Sequence, residues 1–128
     1  MLANDVIDAL LLGFAHVEKD YKREWGWWRY RLDGKLFAAL LTLPEGYKGY
    51  RAGRVLTLKC DPAELPHLLE TYPCITPGFY CDKRNYATIY LDEAEETVPA
   101  GLVEALCADA YRLAVARLTK KRRRELGI

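Results

Sequence analysis

The segment WWRYRLDGKLFAALLTL, Trp27 to Leu43, constrains the chain more than any other part of it. Asp33-Gly34 is a dipeptide whose two residues both tolerate the left-handed backbone region, as a two-residue primed turn between right-twisted strands requires. The residues around it alternate. Trp28, Tyr30 and Leu32 fall on one side of an extended segment, while Trp27, Arg29 and Arg31 fall on the other. A β-hairpin is therefore predicted, with KLFAALLTL as the return strand. Trp28 is assigned to its core side, and Trp27 is left open between core and surface.

The flanking segments supply the rest of an α+β domain. From Asn4 to about Tyr21 the apolar residues Val6, Ile7, Leu10, Leu11, Phe14 and Val17 recur at three and four, which predicts an amphipathic helix capped by Asn4 or Asp5. Pro44 to Gly53 reads as a loop and RVLTLKC as a third strand. DPAELPHLLETYP reads as a short helix that starts at Asp61 with Pro62 in its first position. A Pro77-Gly78 turn leads to a fourth strand in YATIYLD, and EAEET reads as an acidic loop. Leu102, Leu106, Leu113 and Ala114 then mark a long closing helix. The expected architecture is an antiparallel sheet with the N-terminal and long C-terminal helices packed on one face.

At 128 residues the chain fits a single domain, 1–128, which buries roughly two-thirds of the surface that its unfolded chain would expose. No apolar run reaches the ~20 residues of a membrane span, and Asp5 and Asp8 stand where a secretory signal would carry cations. A cytoplasmic protein without membrane contact is expected, more readily a monomer than an oligomer. Cys60, Cys74, Cys81 and Cys107 contain no C-x-x-C pair, so they read as reduced thiols, with Cys81 the one beside cations. His16 and His67 read as surface residues. Neither a metal nor a cofactor is expected, and no nucleophile elbow, glycine-rich phosphate loop or paired metal-binding histidine motif points to an enzyme.

The net charge of +1 argues against coating nucleic acid by bulk electrostatics, but the charges are unevenly distributed. Lys120, Lys121, Arg122, Arg123 and Arg124 supply five of the 19 cations, which leaves 14 cations against 17 anions in residues 1 to 119, a net of −3. The basic tail, 120–128, is expected to be a frayed helix end.

The stretches DGKLFAAL (Asp33 to Leu40), LKCDPAELPHLLETYPCITPGFYCDKRNYATIYLD (Leu58 to Asp92) and DAYRLAVARLTKKRR (Asp109 to Arg123) together resemble the MmcQ/YjbR-like family. The resemblance implies a fold like that of the bacterial frataxin homologue and DNA binding through a "double wing" arrangement. The chain departs from the family pattern at Asp82 and Tyr86, and Ala110 precedes Tyr111 where the family often has serine. An iron-binding carboxylate ridge on the first helix is not expected, because Lys19, Lys22 and Arg23 balance its acids.

The candidate nucleic-acid contacts are Arg29, Arg31, Lys35, Lys59, Lys83, Arg84, Asn85, Lys120, Lys121 and Arg122, since cations neutralise phosphate and amides reach base edges. Lys59 and Lys83 border elements that could bring them to one surface. The alternative is a small-ligand or protein-binding adaptor with an aromatic pocket around Trp27, Tyr80, Tyr86 and Tyr90.

Overall fold

A computed structural model describes residues 2–79 and 82–128 of the chain. In chain order the elements are α1 (Asn4–Leu12), β1 (Val17–Lys22), β2 (Trp27–Leu32), β3 (Lys35–Leu43), β4 (Gly53–Lys59), α2 (Leu65–Thr71), β5 (Ile75–Pro77), β6 (Tyr86–Tyr90), α3 (Leu91–Thr97), α4 (Leu102–Ala116) and α5 (Lys120–Leu126). The strands form one six-stranded sheet, ordered β1-β2-β3-β4-β6-β5, with every neighbouring pair antiparallel. The fold is α+β, as expected.

The hairpin turns where the sequence places it. Asp33 and Gly34 have φ of 51° and 81°, the two left-handed positions of a primed turn. A bulge between Tyr30 and Arg31 shifts the register of β2 on β3.

Register divides the sheet into two faces. Tyr30, Ala38, Leu58 and Ala87 lie in one row, and Leu40, Leu56, Ile89 and Ile75 in the next but one. This face carries the helices. The Tyr30 hydroxyl donates to Asp8 of α1 at 2.6 Å, and Phe37 meets Tyr111 of α4 edge to face at 5.9 Å. Ile7 and Leu11 of α1 and Val103, Cys107, Ala110 and Ala114 of α4 complete the core between sheet and helices. The opposite face holds Trp27, Ala39, Leu41, Thr57 and Thr88. It is covered by Phe79 and by Tyr47 and Tyr50 of the β3–β4 loop, whose rings lie 6.1 and 4.7 Å from that of Phe79.

Several expected boundaries are corrected. The first helix stops at Leu12 rather than near Tyr21, and Ala3, not Asn4 or Asp5, occupies its N-cap position, with no side-chain capping bond. After Gly13 the chain turns through His16, at φ 65°, into β1, because VEKDYK can pair with β2 in the order Asp20 opposite Arg29 and Tyr21 opposite Trp28. Strand pairing wins over the helical period there. Asp61 accepts from the Ala63 amide at 2.9 Å within a preceding turn, so α2 begins at Leu65, with Pro66 in its first turn. EAEET belongs to α3, where buried Leu91 and Ala94 anchor one side and Asp92 and Glu93 suit the positive helix start. The basic tail forms α5, separate from α4. Thr119 caps it by accepting from the Arg122 amide, and Gly127 closes it at φ 73°.

Core assignment also changes at the tryptophans. Trp27 is 5% exposed and Trp28 is 42% exposed. Trp28 does lie on the same side as Tyr30, but beside it stand its cross-strand partner Tyr21, 4.6 Å away, and the Lys19 ammonium, 4.5 Å from its ring. Trp27 is buried because Phe79, from the far side of the sequence, packs on it at 5.9 Å.

The contact between α1 and the sheet has an electrostatic signature. Burial pushes the Asp8 carboxyl up, but hydrogen bonds from Lys19 and Tyr30, together with the Lys19 charge, outweigh this and hold it below the usual carboxylate range. A carboxyl depressed in the folded state contributes stability that is present above the unfolded pKa, about 4, and is lost as pH falls through the folded value. Denaturant unfolding between about pH 7 and pH 2 should therefore show Asp8→Asn less stable than the parent at neutral pH, with the gap closing below about pH 4. A gap that stays constant down to acid pH would show that the carboxylate charge contributes nothing.

Candidate nucleic-acid interface

One end of the sheet gathers the termini of several elements. The β2–β3 turn lies there, as do the start of β3, the end of β4, the start of β6 and the end of α4. The carbonyl of Leu36 ties them together. It accepts from the Tyr86 hydroxyl at 3.0 Å and from the Arg117 guanidinium at 3.1 Å. Arg122 of α5 donates to Asp33 at 2.8 and 3.1 Å, which docks the basic tail on the hairpin turn.

This arrangement places many of the sequence candidates together. Lys35, Lys120 and Lys121 are exposed, and among the described residues no carboxylate lies within 4 Å of their ammonium groups. Lys59 pairs across the sheet with Tyr86, and its ammonium stands 5.4 Å from the centre of that ring. Burial pushes the Lys59 ammonium below its usual range, the nearby Arg117 charge adds to this, and Asp82 opposes it. The Arg117 charge beside a half-buried Lys59 makes a locally positive corner, which an anion would relieve. Lys83 and Arg84 lie on the loop that leads into Tyr86, and Lys83 donates to the Gly78 carbonyl at 3.4 Å. Lys59 and the Lys83–Arg84 loop thus meet at one corner. Acids are interspersed. Asp33 and Glu125 flank Arg122, Asp82 sits in the loop, and Asp61 and Glu64 line the cleft beside Lys59.

Three candidates serve other purposes. Arg29 makes a two-point contact with Asp20 at 2.6 and 2.8 Å, and Arg31 reaches the same carboxylate at 3.2 Å, so these arginines neutralise an acid of the edge strand. The hydrogen bond from Arg29 holds the Asp20 carboxyl below its usual range. Asn85 builds its own turn. Its side chain donates to Asp82 at 2.7 Å, its amide donates to the Asp82 carbonyl, and its carbonyl accepts from the Cys60 amide at 2.7 Å. The bond to Asp82 uses one of the two side-chain N–H donors of Asn85.

Among the described residues, the aromatic candidates Trp27, Tyr86 and Tyr90 make separate contacts. Tyr80 and Cys81 lie outside the described residues. Tyr90 is buried under Arg51, whose guanidinium is 4.3 Å from its ring, and Tyr86 bonds Leu36 at the basic end. Trp27 lines a different feature, a groove of about 910 Å³ on the loop-covered face. Its walls are Trp25, Trp27, Tyr47 and Phe79, with Leu36 and Arg29 at one side and Lys48 and Glu24 among its polar groups. Sequence reading missed Arg117 and Phe79. Neither carries a local signal, because Arg117 follows an ordinary amphipathic helix and Phe79 follows an ordinary turn dipeptide.

The remaining described cysteines, Cys60, Cys74 and Cys107, are buried free thiols, and burial pushes Cys107 up to about 12. No cluster of metal-ligating side chains occurs among the described residues, and none of their helices is long and apolar enough to cross a membrane.

Residues 12–113 match the YjbR family. The chain belongs to the YjbR family. A search of curated proteins returned no match. Among solved structures this YjbR-family chain is similar to a Deinococcus radiodurans protein with the DUF419 domain, at 24% identity and a TM-score of 0.80, over 97% of this chain and 87% of that one. It is also similar to a Pseudomonas syringae protein, at 22% identity and a TM-score of 0.69 in the crystal, over 89% of this chain and 99% of that one. In solution the Pseudomonas syringae protein gives a TM-score of 0.63 at the same identity. At such identities these likenesses establish the fold alone.

Proposed function

We propose that this YjbR-family chain is a cytoplasmic, non-enzymatic binding module that holds the sugar-phosphate backbone of DNA against the basic end of its sheet. One observation carries the reading. Lys35, Lys59, Lys83, Arg84, Arg117, Lys120 and Lys121 come from separate parts of the chain and converge on one end, where no ion pair engages their side chains among the described residues. Such a patch contacts phosphates irrespective of sequence, and its affinity falls with salt as counterions are released. The near-neutral net charge fits a small footprint of this kind better than a wrap along the duplex. A second reading, a small-ligand or protein-binding adaptor, is supported by the aromatic groove, whose volume of about 910 Å³ suits a small molecule.

Titration of labelled duplex DNA at about 50 and about 200 mM salt separates the readings. The backbone reading expects affinity to fall at least about tenfold between the two salts, and the combined Lys35→Ala, Lys120→Ala, Lys121→Ala variant to show a shallower slope. Absence of duplex binding at the lower salt would retire it.

A further inference from the structure

The aromatic groove and the basic end are contiguous. Leu36 lines the groove, and its carbonyl is the atom on which Tyr86 and Arg117 of the basic end converge. Arg29 also lines the groove, and its two-point contact with Asp20 fixes it in place. We propose that the groove receives an unpaired nucleobase of the strand whose phosphates lie on the basic end, so that the preferred partner is single-stranded nucleic acid rather than an intact duplex. This inference rests on the backbone-binding reading and adds the class of strand.

The chemistry follows from what the groove presents. In a duplex each base turns its edges outward and hides its faces in the stack, so rings on a protein surface have nothing to stack upon. An unpaired base exposes both faces, and aromatic side chains together with a fixed guanidinium are the groups that take them. Trp25, Trp27 and Phe79 form a connected wall, with ring centres 5.2 Å apart between the two tryptophans and 5.9 Å apart between Trp27 and Phe79. Trp27 and Phe79 are buried, while Trp25 is 56% exposed at the rim. An exposed indole beside an open groove costs free energy in water, and stacking on a base would cover it. Of the charged groups at the groove, Glu24 is paired with Lys22 at 3.3 Å and Arg29 with Asp20 at 2.6 Å, so neither of these adds a free charge to it.

The experiment follows tryptophan emission and binding anisotropy at about 50 mM salt with three probes: an oligothymidylate of about ten nucleotides, the matching dA·dT duplex, and thymidine monophosphate. The oligothymidylate is expected to bind at least about fivefold more tightly than the duplex and to quench tryptophan emission. Trp25→Ala, which removes an exposed side chain and leaves the core intact, is expected to weaken oligothymidylate binding about tenfold and to leave duplex binding unchanged. Phe79→Leu is the second variant, with the same expected direction. If oligothymidylate and duplex both bind with a salt slope but neither variant changes affinity, the groove inference is overturned and the backbone reading stands. If neither polymer binds, both fail. If the monophosphate binds as tightly as the oligomer and without salt dependence, the groove is a small-ligand site and the inference is overturned.

Discussion

Replacing Thr88 with valine is expected to destabilise the protein by about 2–4 kcal/mol, although the two side chains have nearly the same volume. The Thr88 hydroxyl shares a 2.8 Å hydrogen bond with Thr57 and accepts from the Phe79 amide at 2.8 Å, and both threonines are buried at 1% exposure. Valine would leave a buried amide and a buried hydroxyl unsatisfied, at about 1–3 kcal/mol each. The pair makes a sharper test than the single change. In Thr57→Val/Thr88→Val the second orphaned group is gone, so the double variant should be more stable than Thr88→Val alone by about 1 kcal/mol, a coupling that urea unfolding can resolve. The Phe79 amide bond also pins the chain just before the loop that carries Lys83 and Arg84, so this polar pair helps position part of the basic end. Thr88→Val within about 0.5 kcal/mol of the parent would show that the pair holds nothing in place.

The adjacent tryptophans should respond in opposite ways. Trp27→Ala is expected to cost about 3–5 kcal/mol, because the ring is buried between Trp25 and Phe79 and its removal leaves a cavity under the groove. Trp28→Ala is expected to cost about 1 kcal/mol or less, since that ring is 42% exposed and mainly flanks Tyr21 and Lys19. Equal losses at the two positions would contradict the packing described for the loop-covered face.

These two residues also show where sequence stops informing structure. Alternation in WWRYRL correctly sorted Trp27 and Trp28 to opposite sides of β2. It could not say which side would be covered at that point along the strand, because the cover comes from Phe79, more than fifty positions away. The hairpin was legible because Asp33-Gly34 states its backbone requirement locally. The boundary between α1 and β1 was not, since Phe14 and Val17 satisfy a helical period while VEKDYK has no clear period of its own, and only the partner β2 decides.

The candidate site was legible residue by residue and hidden as an assembly. Arg29 and Arg31 resemble surface cations until β1 brings Asp20 opposite them. Asn85 reads as a free amide, but one of its side-chain donors bonds Asp82. The tail looks like a solvated charge run, yet Thr119 starts a new helix and Arg122 fastens it to the hairpin turn. Asp33 is 89 positions from Arg122, and even the nearer partners Asp20, Asp82 and Thr119 carry a charge or hydroxyl with no directional label of its own.

Amide shift mapping by two-dimensional NMR, with the oligothymidylate added at about 50 mM salt, tests the central claim most directly, because it asks whether one end of the sheet is the binding surface. The expected perturbations are at Lys35 and Leu36, Lys59, Lys83 to Tyr86, and Arg117 to Arg122, continuing along the groove to Trp25. Shifts confined to the helix-covered side, around α1 and the start of α4, would contradict it, as would a spectrum that does not change.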